Sequence, residues 1–113
     1  MSDEASSQAK RIRELNDAFR RTFVGGAVVI TAGVAALPAE QRTSLLAKVR
    51  AFAAFTCDND PHGEHDFGLV EVGGVRCFWK VDYYDREMEA FSPDAADTSV
   101  TTRVLTVMLA EEY

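Results

Sequence analysis

The chain has only two cysteines, a single tryptophan and no long apolar run, and each scarcity removes a class of protein. Two cysteines do not make the multi-bridge framework of a small secreted domain, so Cys57 and Cys77 are expected to be free, reduced thiols. No stretch approaches the ~18 consecutive apolar residues of a membrane span. The opening MSDEASSQAK lacks the basic and apolar parts of a secretory leader, and the expected location is the cytoplasm. Basic residues are scarce where it matters most. Residues 56–113 hold four Lys/Arg against thirteen Asp/Glu, a charge of −9, whereas residues 1–55 hold eight against five, a charge of +3. A field of that sign repels nucleic acid and attracts cations or basic protein surfaces. Direct nucleic-acid binding is therefore not expected.

What is present fits one domain. With 113 residues, 47% apolar and 27% charged, the chain is ordinary for a globular protein able to bury a core without staples. Residues 1–9 are small and polar and are expected to form a disordered tail, with a single α+β domain over residues 10–113. Ile12, Leu15, Phe19 and Phe23 mark one stripe of a first helix, and Lys10, Arg13, Asp17, Arg20 and Arg21 are assigned to its solvated side. Gly25 and Gly26 end it. AVVIT, residues 27–31, is a short β-branched run that reads as a buried strand.

Pro38, suited to a first helical position, and Glu40 open a second helix. Its apolar stripe is Leu45, Leu46, Val49, Phe52 and Ala53, and it should end near Phe55. FGLVEV and VRCFWKVDYY, joined by Gly73-Gly74, predict a β-hairpin. On its second strand Val75, Cys77, Trp79 and Val81 point to the core, which makes Cys77 a core residue rather than a nucleophile. Tyr83 and Tyr84 fall on opposite faces. Asp97, Thr98 or Ser99 can cap the last element. VTTRVLTVMLAEEY satisfies both patterns: its Val and Thr content favours a strand, but its length, the upstream caps and its broad apolar surface favour a buried helix, which is the assignment made. The predicted order is α-β-α-β-β-α, with helices packed on a short sheet.

The chemistry concentrates in CDNDPHGEHDFG, residues 57–68, with three Asp, one Glu, two His and one Cys in twelve positions. It fits none of the common templates. An EF-hand register from Asp58 puts His62 at the fifth position and Leu69 where the bidentate Glu belongs. His62 and His65 are three apart across Gly63, not i and i+4 on a zincin helix. HGE matches half of a zinc-deaminase signature, but no P-C-x-x-C follows. Two readings remain. In one, Asp58, Asn59 and Asp60 cap and turn the chain while His65 and Asp66 bond backbone groups at the hairpin mouth. In the other, a divalent metal would be held by Asp58, Asp60, His65 and Asp66, or His65, Asp66 and Lys80 would act on a phosphate ester or nucleotide. No cofactor is predicted beyond that conditional metal. Aromatic and charged residues in WKVDYYD are of the type that forms interface hot spots.

The ordered set RIRELNDAFRRTF, GVAALP, AFTCDNDPHGEHDFG, FWKVDYYD and TTRVLTVMLAEEY resembles a bacterial family catalogued as domain of unknown function 3768, from about Arg11 to Tyr113. The resemblance implies a single-domain protein of the accessory genome, often near mobile-element genes, with no assigned activity or site residues. The family loop reads DNDPYGEHDFG, so His62 stands where Tyr is usual and Cys57 where another residue is common. Asp58, Asp60, Glu64, His65 and Asp66 match. The favoured function is an acidic protein-interaction module, of the kind that inhibits a nucleic-acid-handling defence complex of the CRISPR or restriction type. Its contact residues would be Asp58, Asp60, Glu64, Asp82, Tyr84 and Asp85, its partner a basic protein surface, and its state monomer or homodimer, the latter through an exposed helix stripe. The alternative is the metal-dependent hydrolase.

Overall fold

A computed structural model describes residues 3–113, with side chains from Ser7 onward. Helix α1 runs Asp3–Thr22, so residues 3–9, expected from sequence to belong to a disordered tail, lie in the helix; residues 1 and 2 lie outside the described residues. Strand β1 (Gly26–Ile30), a one-turn helix α2 (Ala32–Ala35) and helix α3 (Ala39–Ala51) follow. Then come β2 (Phe67–Val72), β3 (Val75–Tyr84) and β4 (Thr102–Leu109), with a 3₁₀ turn at Thr98–Val100. The class is α+β. The strands form one mixed sheet, β1-β4-β3-β2, parallel only between β1 and β4.

The hairpin forms as its turn demands. Gly73 and Gly74 both have positive φ, 56° and 80°, the backbone that a two-residue hairpin turn requires and glycine adopts at no steric cost. The alternation on β3 places Cys77, Trp79 and Val81 in the core with Leu45, Val49, Phe19, Leu105 and Val107. Burying each large side chain of this set contributes roughly 1.5–3 kcal/mol against leaving it in water. Gly68, opposite Trp79 in the β2–β3 register, leaves room for the indole: a Cβ there would meet Trp79 Cε2 at 2.7 Å.

Two expectations are corrected. The last element is a strand, not a helix. It lies between β1 and β3 with both faces covered, so it reads as an almost continuous apolar run, and its β-branched content decides the outcome. The upstream cap exists, with Asp97 accepting from Ser99 N at 2.9 Å, but it caps only the 3₁₀ turn. The run at residues 27–31 is not a buried strand either. β1 is a sheet edge, and Val29 is 45% exposed.

Helices α1 and α3 cover the sheet face that carries Trp79, and the stripe of Ile12 and Phe19 is buried within the chain's own fold. The opposite face carries Phe78, Lys80, Asp82 and Tyr84. Phe67, Phe78 and Tyr113 cluster there, with centroids 5.1–5.7 Å apart. Among the described residues no helix is long and apolar enough to cross a membrane.

Candidate functional site

The acidic segment is a turn held through Asn59, Asp60, Glu64 and His65. Asn59 Oδ1 accepts from Thr56 N at 2.7 Å, and Asn59 Nδ2 donates to the Ala54 carbonyl at 2.9 Å. Asp60 then turns the chain again: its Oδ1 accepts from the backbone N–H of both Glu64 and His65, each at 3.1 Å. Those two bonds hold His65 at φ 55°, a left-handed conformation that costs a side-chain-bearing residue on the order of 1 kcal/mol or more.

His65 is clamped on three sides. Nδ1 lies 2.9 Å from Asp17 Oδ1, and because a carboxylate only accepts, this nitrogen carries the proton. Nε2 faces Asp60 Oδ2 at 3.5 Å. The ring stacks on Phe55 with centroids 3.7 Å apart and planes 2° from parallel. Asp17 also accepts from Arg20 Nη1 at 3.0 Å. Burial raises the Asp17 carboxyl, but the hydrogen bonds from His65 and Arg20 outweigh it and leave the group below the ordinary Asp range. Arg20, 1% exposed, donates to the Phe52 carbonyl at 3.0 Å and lies over the Trp79 ring at 5.2 Å.

One turn back along α1, a second network docks the same loop. Asn16, fully buried, donates from Nδ2 to the Glu64 carbonyl at 3.0 Å and to Tyr83 Oη at 2.8 Å. Its Oδ1 accepts from Arg103 Nε at 2.8 Å. Tyr83 donates in turn to Glu64 Oε1 at 2.9 Å, and burial pushes its phenol far enough up to keep that proton in place. Arg13 Nη1 closes the edge by donating to the Gly63 carbonyl at 3.0 Å.

Of the residues singled out from sequence, Asp60, Glu64 and His65 come together, but with their polar atoms turned inward. Asp66 is half-buried beside them, its carboxyl pushed up by burial and then by the Glu64 charge. Asp58 and His62 are exposed. Lys80, Asp82 and Tyr84 lie on the other sheet face, Lys80 pairing with Asp82 at 3.2 Å and Tyr84 stacking on Phe91 at 6.3 Å. The trio His65, Asp66 and Lys80 is therefore not assembled, because alternation along β3 sends Lys80 away from the Trp79 face. The set Asp58, Asp60, His65 and Asp66 does not converge either. Among the described residues no three His, Cys, Asp or Glu side chains are placed to hold a metal ion. The two nitrogens of His65 address different carboxylates, whereas a metal needs its ligands aimed at one point.

Asn16, Asp17, Arg20, Tyr83 and Arg103 complete the site and are absent from the sequence-based set. Arg20, assigned to a solvated face, is instead in the core. A signal existed: Asn16 and Arg20 follow Ile12 at i+4 and i+8, so both lie on the apolar stripe, and a polar residue on such a stripe has to find a buried partner.

No curated protein and no solved structure matches the chain. The family model described as Protein of unknown function (DUF3768) matches residues 30–112, a span that includes the turn and the whole hairpin but begins after α1. The chain belongs to that family.

Proposed function

We propose that the chain is a non-enzymatic interaction module that docks against a basic protein surface. One observation carries this reading: Asn59, Asp60, Glu64 and His65 are spent on holding the turn, while several carboxylates outside it face solvent. Asp58, Glu71, Glu87, Glu89 and Glu111 are exposed, and among the described residues none makes an ion pair. Carboxylates on a rigid frame lose little freedom when a partner's Arg or Lys arrives, which favours charge-assisted, often bidentate contacts. Asp60 and Glu64 leave the contact set, and Asp58 and Tyr84 remain in it with Asp82 and Asp85, each of which would contribute its second carboxylate oxygen, since Asp82 pairs with Lys80 and Asp85 accepts from the Glu89 amide. The partner class that this charge fits is a protein with a basic nucleic-acid channel, such as a restriction or CRISPR-type complex, whose substrate the −9 half would compete with.

A catalytic role for His65 is not favoured, since Nδ1 is held by Asp17, the ring is stacked on Phe55, and Nε2 is turned toward Asp60. Affinity capture from cells of the source organism tests the interaction. A nucleic-acid-binding protein should be captured at low salt, released at about 0.5 M salt as screening shortens, and lost with Asp58→Lys or Glu87→Lys. Capture indifferent to salt and to both reversals would end this reading.

A further inference from the structure

Away from the acidic turn, a cavity of about 280 Å³ opens between the C-terminal half of α1, the bend after it and the connection that leads into β4. Leu15, Phe19 and Val24 give it an apolar lining, and Arg86 and Arg103 line it too. Arg103 is 4% exposed, yet its hydrogen-bond partners and the ring beneath it are neutral. Nε goes to Asn16 Oδ1, Nη2 to the Ala95 carbonyl, and the guanidinium lies 5.2 Å over the Tyr83 ring. Arg86 is exposed and makes one long bond, 3.5 Å to the Thr101 carbonyl.

Among the described residues neither arginine has a carboxylate within 4.0 Å, although the half of the chain that holds them carries thirteen Asp and Glu. A buried cation without a counter-ion is costly, and chains with carboxylates to spare usually supply one. We propose that the cavity binds a small organic anion, with its carboxylate or phosphate between Arg86 and Arg103 and a compact apolar body against Leu15, Phe19 and Val24. The volume lies at the small end of ligand sites, which suits a single ring or a short branched chain. An anion here would also offset the burial that pushes the Arg103 guanidinium down from its ordinary value.

Titration of the ¹⁵N-labelled full chain with benzoate, phenyl phosphate and benzyl alcohol tests the proposal. Saturable shifts are expected at the amides of Gly25, Thr98 and Thr101 with at least one of the anions, and benzyl alcohol should bind at least tenfold more weakly. Binding by benzoate alone would assign a carboxylate ligand, and by phenyl phosphate alone a phosphate. Arg86→Ala, a surface change that leaves the fold intact, should weaken the anion at least fivefold, and Ala18→Phe, which fills the cavity, should block it. The proposal fails if no anion gives saturable shifts at those amides, if the neutral alcohol binds equally well, or if Arg86→Ala changes nothing.

Discussion

Replacing Asn16 by Ala should be among the most damaging single changes on α1, and the structure sets its size. The side chain makes three hydrogen bonds, to Glu64 O, Tyr83 Oη and Arg103 Nε, all at 2.8–3.0 Å. Truncation does not affect the three partners equally. Tyr83 keeps its bond to Glu64 Oε1, so its loss is that of an ordinary net hydrogen bond, about 0.5–1.5 kcal/mol. The Glu64 carbonyl loses a similar amount. Arg103 Nε is a charged donor in a residue 4% exposed, and leaving it unpaired adds about 1–3 kcal/mol. The total is about 2–6 kcal/mol, a large fraction of the 5–15 kcal/mol typical of a whole domain. Trp79, the single tryptophan and fully buried, makes intrinsic fluorescence in urea a direct assay. The midpoint should fall with an unchanged slope. Gln8→Ala, which removes only the exposed bond to Asp94 at 3.1 Å, should cost less than about 0.5 kcal/mol. A loss below ~1 kcal/mol for Asn16→Ala would show that the network does not dock the loop on the helix, and the account of the site would fall with it.

Stability should depend on acid through carboxylates shifted in opposite directions, of which Asp17 and Asp66 are the two that are partly buried. Asp17 is depressed in the folded state, so its contribution is complete above the unfolded Asp value near 3.9 and is lost as pH falls through the lower folded value; Asp17→Asn should flatten that limb in pH-dependent urea melts. Asp66 is raised, so the folded state holds its proton longer and stability declines as pH rises from about 3.9 through the folded value. Asp66→Asn should remove that decline and be at least as stable as the parent at pH 7; a variant less stable at pH 7 than at pH 4 would contradict the assignment. Gly68→Ala forces a Cβ into the Trp79 indole and should cost about 1–3 kcal/mol by overpacking, with a shifted tryptophan emission as the check. Asp60→Ala removes two backbone bonds that hold His65 in its left-handed conformation. It should cost about 1–3 kcal/mol and speed hydrogen exchange at the Glu64 and His65 amides, and unchanged exchange there would refute the capping role.

The hairpin was legible because its signals are local. Two glycines fix the turn, and strict alternation from Val75 to Val81 fixes which side chains face in. The last strand was not, because a central strand buried on both faces has the same apolar profile as a buried helix segment, and only its pairing with β1 and β3 separates them. The acidic turn was half legible. Asp60 acting on Glu64 and His65 is a short-range bond that residue order suggests, whereas Asp17 and Asn16 reach His65 and Glu64 across 48 positions of sequence, and no local pattern records such a contact.

That long reach bears on how the acidic turn is held. The family match spans residues 30–112, yet the turn's His65 and Glu64 are bound by Asp17 and Asn16 of α1, outside that span. The motif residues by themselves make a bend: Asp60 gathers two amides, and Gly63 and His65 take the left-handed conformations. What α1 adds is fixation, since an exposed imidazole or carbonyl would otherwise exchange its partner for water at little cost. The helix supplies it twice from successive residues. Asp17 holds the ring of His65, and Asn16 holds the backbone before it and ties it to Arg103 on the central strand. The same arginine, bound to Asn16, also lines the cavity. A ligand that changed the Arg103 geometry would therefore act through one shared hydrogen bond on the backbone that presents the acidic turn.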